Sequence, residues 1–269
     1  MNPYKIDPPF VVQFSGGRTS GFMLRQILDA YNGKLPDNSL IVFCNTGLEH
    51  PETLKFVERV SIEWGVDIHW LEYRQKKTFE RVSYATASRN GEPFALLIED
   101  KLNYLPNVMV RFCTVEMKIK TSDRYCATFG FLESGYSEAI GLRADEPQRV
   151  RKIKGRDRDN AAVCPIHDAG HTLADVERFW AAQPFDLGIP SYLGNCVGCF
   201  LKGRNKLATI ARESPESLQW WAEQETASGN RFRKDGPSYA MFLALAQRKG
   251  LFDDMPETDY LEVACHCTD

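Results

Sequence analysis

Two groups of residues in this chain of 269 have the types and spacing for chemistry. The first is Ser15-Gly16-Gly17-Arg18-Thr19-Ser20, set between an apolar run, PFVVQF, and a helical pattern, FMLRQILDAY. Adjacent glycines let the backbone approach a ligand and turn successive N–H groups inward. The helix that follows adds the partial positive charge of its N-terminus. Ser15, Thr19 and Ser20 supply hydroxyls and Arg18 a guanidinium. Together they describe a phosphate cradle; the alternative is a glycine turn with a Ser/Thr helix cap. The spacing is neither G-x-x-x-x-G-K-[ST] of a P-loop nor G-x-G-x-x-G of a dinucleotide fold.

The second group is the cysteines, eight in all. Cys196-Val197-Gly198-Cys199 can offer two thiolates to one metal or cluster, and thiolate sulfur selects zinc or iron–sulfur centres. The same spacing suits a redox pair, but it does not open a helix in a thioredoxin-like setting, so the metal ranks first. Cys265-His266-Cys267 lies near the C-terminus, and a tetrahedral zinc on Cys196, Cys199, Cys265 and Cys267 would tie that tail to the body. Cys44 at the end of an apolar run and Cys126 late in a helix read as small buried hydrophobes. Cys164, before Pro165, is ambiguous. His50, His69, His167 and His171 are scattered; His69 reads as a core or edge residue. No Ser-His-Asp grouping emerges from spacing.

These residues need a frame. FVVQF (10–14), LIVFCNTG (40–47) and VDIHWLEY (66–73) read as strands. Helical patterns separate them at 21–31 and at 52–65, the second stopping at Gly65. Strand-helix alternation predicts a parallel sheet with right-handed crossovers and ligands at the strands' carboxyl ends. Residues 74–112 read as an irregular excursion, 114–128 as a helix, EAIGL (138–142) as a further strand and 143–163 as a polar loop. TLADVERFWAAQ (172–183) reads as a helix capped by Thr172 with Asp175 in its first turn. SPESLQWWAEQ and PSYAMFLALAQRKG give a helical tail. The fold class is therefore α/β, a parallel twisted sheet flanked by helices, with a helical C-terminal extension. Residues 1–206 would form the first domain, including the C-x-x-C segment, and 207–269 an extension packed on it. Trp220, Trp221 and Phe232, with Arg231, Arg233 and Lys234, could stack on a nucleic-acid strand; helix core is the default.

A hydrophobic content of 43%, a charged content of 26% and a formal net charge of −3 fit a soluble globular chain without a global basic field. The basic stretch from Arg143 to Arg158 has acids interleaved and suits a solvated loop. No apolar run is long enough to span a bilayer, and the N-terminus lacks a signal-peptide pattern. The expected location is the cytoplasm, where cysteines stay thiols or bind metal.

Taken in order, SGGRTS (15–20), FCNTGLEHPETLKFV (43–57), RFCTVEMKIK (111–120), AIGLRADEPQR (139–149) and NCVGCFLKGRNK (195–206) resemble segments of the adenine nucleotide α-hydrolase-like, or PP-loop, superfamily. The nearest resemblance is to the PAPS reductase-like proteins of phages and bacteria. It implies an adenine nucleotide, ATP or the sulfonucleotides PAPS and APS, with magnesium a possible companion. Its phosphates would lie on Ser15, Gly16, Gly17, Arg18, Thr19 and Ser20. Asn45, Thr46, Gly47 and Glu49 would line the mouth of the second strand. Gly141, Arg143 and Arg149 would face the anionic end, where a guanidinium suits phosphate or sulfate; the alternative for Arg143 is an ion pair with Glu146. Lys118 and Arg143 are the catalytic cations so implied.

The resemblance further implies a 4Fe–4S cluster on Cys113, Cys196, Cys199 and Cys267, with zinc as its rival. Cys265 would be the thiol that attacks sulfur, although Cys265 and Cys267 could exchange roles. Two departures stand out: Phe112-Cys113 replaces a Cys-Cys pair of the iron–sulfur members, and Thr19 stands where ATP-using members carry Asp. Two chemistries follow. One is a reductase that releases sulfite with a thiol reductant. The other is an ATP-dependent sulfurtransferase with a nucleic-acid acceptor and a sulfur-donor protein. A third possibility is a non-catalytic nucleotide-binding subunit of a modification or defence complex.

Overall fold

The structure, a computed structural model, describes residues 2–156, 158 and 160–247. Cys265, His266 and Cys267 lie outside the described residues. Six strands form one sheet: β1 (Phe10–Gln13), β2 (Ser39–Asn45), β3 (Ile68–Arg74), β4 (Thr78–Val82), β5 (Ser137–Ile140) and β6 (Ala161–Val163). Their order is β4-β3-β2-β1-β5-β6. All neighbours are parallel except β3 and β4. The chain steps outward from β1 to β2 and β3, then returns to place β5 on the other side of β1. The crevice beside β1 is thus the topological switch point at which open α/β sheets bind ligands.

The helices are α1 (Arg18–Ala30), α2 (Pro51–Trp64), α3 (Glu92–Asp100), α4 (Lys120–Ala127), α5 (Phe131–Ser134), α6 (Pro147–Lys154), α7 (Pro165–Asp168), α8 (Leu173–Ala181), α9 (Arg204–Glu213), α10 (Glu216–Ser228) and α11 (Tyr239–Ala246), and a π-helical turn, Thr114–Ile119, leads into α4. The strands read as unbroken apolar runs because both faces are covered. Phe10, Val12, Ile41, Phe43, Ile68 and Trp70 pack into the larger core with α1, α2 and the C-terminal helices. Val11, Leu40, Val42 and Leu71 face a smaller cluster with Tyr125, Cys126, Phe131 and Tyr136. No helix among the described residues is long and apolar enough to cross a membrane.

Two stretches differ from expectation. The polar segment 143–163 is not all loop: it holds α6 and β6. α6 starts with Pro147 in its first turn and buries only Val150 and Ile153, too few apolar positions to announce a helix by period. The excursion 74–112 holds β4, antiparallel to β3, and α3. In the tail, Trp221, Phe232, Tyr239 and Phe242 are fully buried. Trp221 stacks on Tyr239 at 5.5 Å and meets Phe94 edge-on at 5.6 Å, while Trp220 sits on Phe94 at 5.2 Å. These rings join the tail to α3 as core. Arg233 donates to the carbonyls of Phe200 and Lys202, each at 2.7 Å.

Candidate functional site

The glycine loop crosses from β1 to α1 over the first turn of α2. Gly16 has φ +77°, and a Cβ there would lie 2.8 Å from Cγ2 of Thr53; only glycine suits both the backbone and the space. Ser20, fully buried, closes the loop from beneath. Its Oγ accepts from the Ser15 N–H at 3.2 Å, shares a hydrogen bond with Ser15 Oγ at 3.0 Å and donates to the Gly17 carbonyl at 3.0 Å. Gly17 is the N-cap of α1; no side chain caps that end and no acid lies in its first turn. The partial positive charge of this helix end is therefore not answered by an acid of its own first turn.

Residues distant in sequence complete the surroundings. Arg18 donates to both oxygens of Asp186, at 2.7 and 2.6 Å, and to the Ile189 carbonyl at 3.2 Å. Burial is the largest influence and would raise the Asp186 pKa, but the hydrogen bond and charge of Arg18 together with the Leu187 and Gly188 amides hold the carboxyl below its usual value. Trp180 donates from Nε1 to the Arg18 carbonyl at 2.8 Å, and its ring lies 2.6 Å from where a Cβ on Gly21 would stand. From the loop after β5, Arg143 donates to Thr19 Oγ1 at 3.2 Å and to Asp145 at 3.0 Å, and pairs with Glu146 at 3.5 Å. Arg149 also pairs with Glu146. Gly141 brings this segment against Ser20, whose Cα would lie 3.3 Å from an added Cβ. Gly16, Gly17, Arg18, Thr19 and Arg143 converge on one cavity of about 620 Å³, which is also lined by Trp180, by the acids Glu177 and Asp186, and by the apolar Leu173, Val176, Leu187 and Pro190. Nothing local in the sequence announces Trp180 or Asp186 as its neighbours.

The mouth of β2 is built differently. Glu49 is buried and bends back on its own loop. Its carboxylate accepts from Thr46 N at 2.9 Å, Thr46 Oγ1 at 2.7 Å and Leu48 N at 3.2 Å. Asn45 donates to Glu72 at 2.6 Å and to the Ser88 carbonyl at 2.9 Å, and its Oδ1 accepts from Gly47 N. Gly47, at φ +78°, has the Gly91 backbone 2.9 Å from a would-be Cβ. Asn45, Thr46, Gly47 and Glu49 do not line the cavity of the glycine loop.

Lys118 lies in the π-helical turn, with its carbonyl 3.6 Å from the Cys44 thiol. Its charge reaches both Cys44 and Cys196, but burial dominates and pushes each thiol up to about 12. Burial does the same to Cys126, and raises Cys164 to about 11. Cys196 Sγ sits 3.2 Å from Thr46 Oγ1 and 3.9 Å from Glu49. None of the six described cysteines is in a disulfide. Among the described residues no three His, Cys, Asp or Glu gather to hold a metal. The remaining ligand of the predicted cluster, Cys267, and the second half of the rival zinc set lie outside the described residues. The histidines have other work. Nδ1 of His50 accepts from Glu52 N at 3.1 Å as the cap of α2, and His69 is buried on β3.

A mostly parallel sheet, a glycine loop at its switch point and an arginine from the next strand over define an α/β protein with a cavity at the carboxyl edge of its strands. Residues 9–183 match the phosphoadenosine phosphosulfate reductase domain, and the chain belongs to that family. It is similar over nearly its whole length to the uncharacterized nin region protein ORF290 of Escherichia phage lambda, with 30% identity over 262 residues, 93% of this chain and 86% of the relative.

Proposed function

We propose that the chain binds an adenine nucleotide with its anionic end in the cavity between the glycine loop and Arg143, and carries out sulfur chemistry on it. A sulfonucleotide, PAPS or APS, is the leading substrate. The observation that carries this reading is the convergence of Gly16, Gly17, Thr19 and Arg143 on one cavity beside a helix N-terminus that has no acid of its own. Such an end favours an anion from outside. Thr19, where ATP-using relatives carry Asp, is uncharged and accepts a hydrogen bond from the Arg143 guanidinium, so this position adds no negative charge to repel sulfate or phosphate. Arg149 shares Glu146 with Arg143 and so takes part of its charge, leaving Arg143 more available to the ligand. Lys118 adds positive potential on the β2 side. The thiol that would attack the sulfo group is Cys265, after which a thiol reductant would release sulfite.

Among the described residues no three ligand side chains gather for an iron–sulfur cluster or zinc; either would draw on Cys265 or Cys267 beside Cys196 and Cys199. The intact pair of glycines favours ATP as the second substrate, with adenylation of a nucleic-acid acceptor before sulfur replaces the activated oxygen. Anaerobic incubation with PAPS or with ATP, followed by nucleotide chromatography, separates the outcomes. Adenosine 3′,5′-bisphosphate and sulfite from PAPS with a thiol reductant establish the reductase. AMP and pyrophosphate from ATP establish the sulfurtransferase. Binding without turnover of either identifies a nucleotide-binding subunit that awaits a partner.

A further inference from the structure

The Cys196-Val197-Gly198-Cys199 segment does not line the nucleotide cavity. It is a tight turn in which Cys199 N donates to the Cys196 carbonyl at 3.0 Å. A turn of this kind brings its first and last Cα within about 7 Å, and a disulfide spans Cα atoms about 4.4–6.8 Å apart. The turn is clamped on both sides. Towards β2, Cys196 bridges Glu49 in antiparallel fashion and Val197 N donates to the Leu48 carbonyl at 2.9 Å. Towards the tail, Tyr239 donates to the Gly198 carbonyl at 2.5 Å. The Trp221 ring covers Gly198 so closely that an added Cβ would fall 2.2 Å from Nε1. A backbone held this firmly keeps the ends of the turn together.

We propose that Cys196 and Cys199 form a reversible dithiol–disulfide pair. Cys199 is half-buried while Cys196 is buried, so Cys199 meets an oxidant first. Its thiolate attacks a low-molecular-weight disulfide such as oxidised glutathione and expels one thiolate. Cys196 then attacks the mixed disulfide and expels the second glutathione sulfur, which takes up the Cys196 proton. Two thiols become one S–S bond, and both electrons pass to the incoming disulfide. Forming that bond draws Cys196 Sγ away from Thr46 Oγ1, so the redox state of the turn reaches the β2 mouth. The proposal stands apart from the identity of the nucleotide.

The test uses the full chain, reduced and freed of metal with a chelator, then equilibrated in glutathione buffers of rising oxidised fraction. Samples are quenched in acid and alkylated under denaturing conditions. The tryptic peptide 179–202 carries these two cysteines and no other. The expected product is this peptide unalkylated and lighter than the dithiol by two hydrogens, restored by dithiothreitol. In Cys196→Ser the reaction stops at a glutathione adduct on Cys199. A wild-type peptide that stays doubly alkylated at every ratio, stops as a single glutathione adduct, or is cross-linked to the tail cysteines overturns the proposal.

Discussion

The loops that leave β1 and β2 sit side by side at the carboxyl edge of the same sheet, and they treat negative charge in opposite ways. After β2, the Thr46 and Leu48 amides donate to the chain's own Glu49 carboxylate. The nest they form is already filled by an internal anion. After β1, the glycine-capped helix has no acid in its first turn, and the loop faces a cavity that Arg143 enters from β5. Equivalent position in the topology therefore does not mean equivalent function. The chain fills one mouth with its own Glu49 carboxylate, whereas at the other Asp186 is held by the Arg18 side chain and the loop backbone faces an open cavity.

Four measurements sharpen or break this contrast. The largest effect is expected from Gly16→Val, which combines a positive φ with a collision against Thr53. The strain, about 1–3 kcal/mol, should abolish calorimetric binding of PAPS and ATP and lower the melting temperature. Next is Arg143→Ala. Losing a charged hydrogen bond of about 1.5–3 kcal/mol should weaken nucleotide binding about tenfold to a hundredfold. Thermal stability should change little, since Glu146 keeps Arg149. Glu49→Gln should show the reverse pattern. Weaker acceptance from two backbone amides should cost about 1–2 kcal/mol of stability, read from denaturant melts, with affinity near wild type. If Glu49→Gln weakens nucleotide binding more than Arg143→Ala does, the roles assigned to the two mouths are wrong.

The smallest effect concerns acid. The Asp186 carboxyl titrates below its unfolded value because Arg18 and the Leu187 and Gly188 amides together overcome burial. A depressed carboxylate pKa gives stability that is present above the unfolded value, about pH 4, and is lost as the pH falls through the folded one. Asp186→Asn should flatten this part of the acid-unfolding curve. The pair is partly exposed, with side chains 28% and 37% accessible, so solvent screening keeps the effect to about 1 kcal/mol or less. An unchanged acid slope would show that Asp186 is not held by Arg18 in solution.

What could be read without coordinates was local. The apolar runs 10–14, 40–47 and 66–73, and the helical spacing between them, specify β1 to β3 and their crossovers, because burial on both faces leaves a continuous apolar signature. SGGRTS announced the loop because an adjacent glycine pair before an amphipathic helix is a local backbone requirement. Thr172 and Asp175 announced the start of α8 for the same reason, and the capping box they form is present. Other features depend on where the chain returns after long excursions. Arg18 meets Asp186 across 168 residues, and Arg143 reaches Thr19 across 124. β6 and α6 are too short to carry a period of their own and exist because β5 and the core offer a partner. The cysteines show the limit most plainly. C-x-x-C spacing puts two thiols in one turn, but it does not say what surrounds them, and the fold buries Cys196 against Thr46 and Glu49. Sequence governs interactions whose partners lie within a turn or two of each other; contacts between distant segments are settled only when the whole core closes.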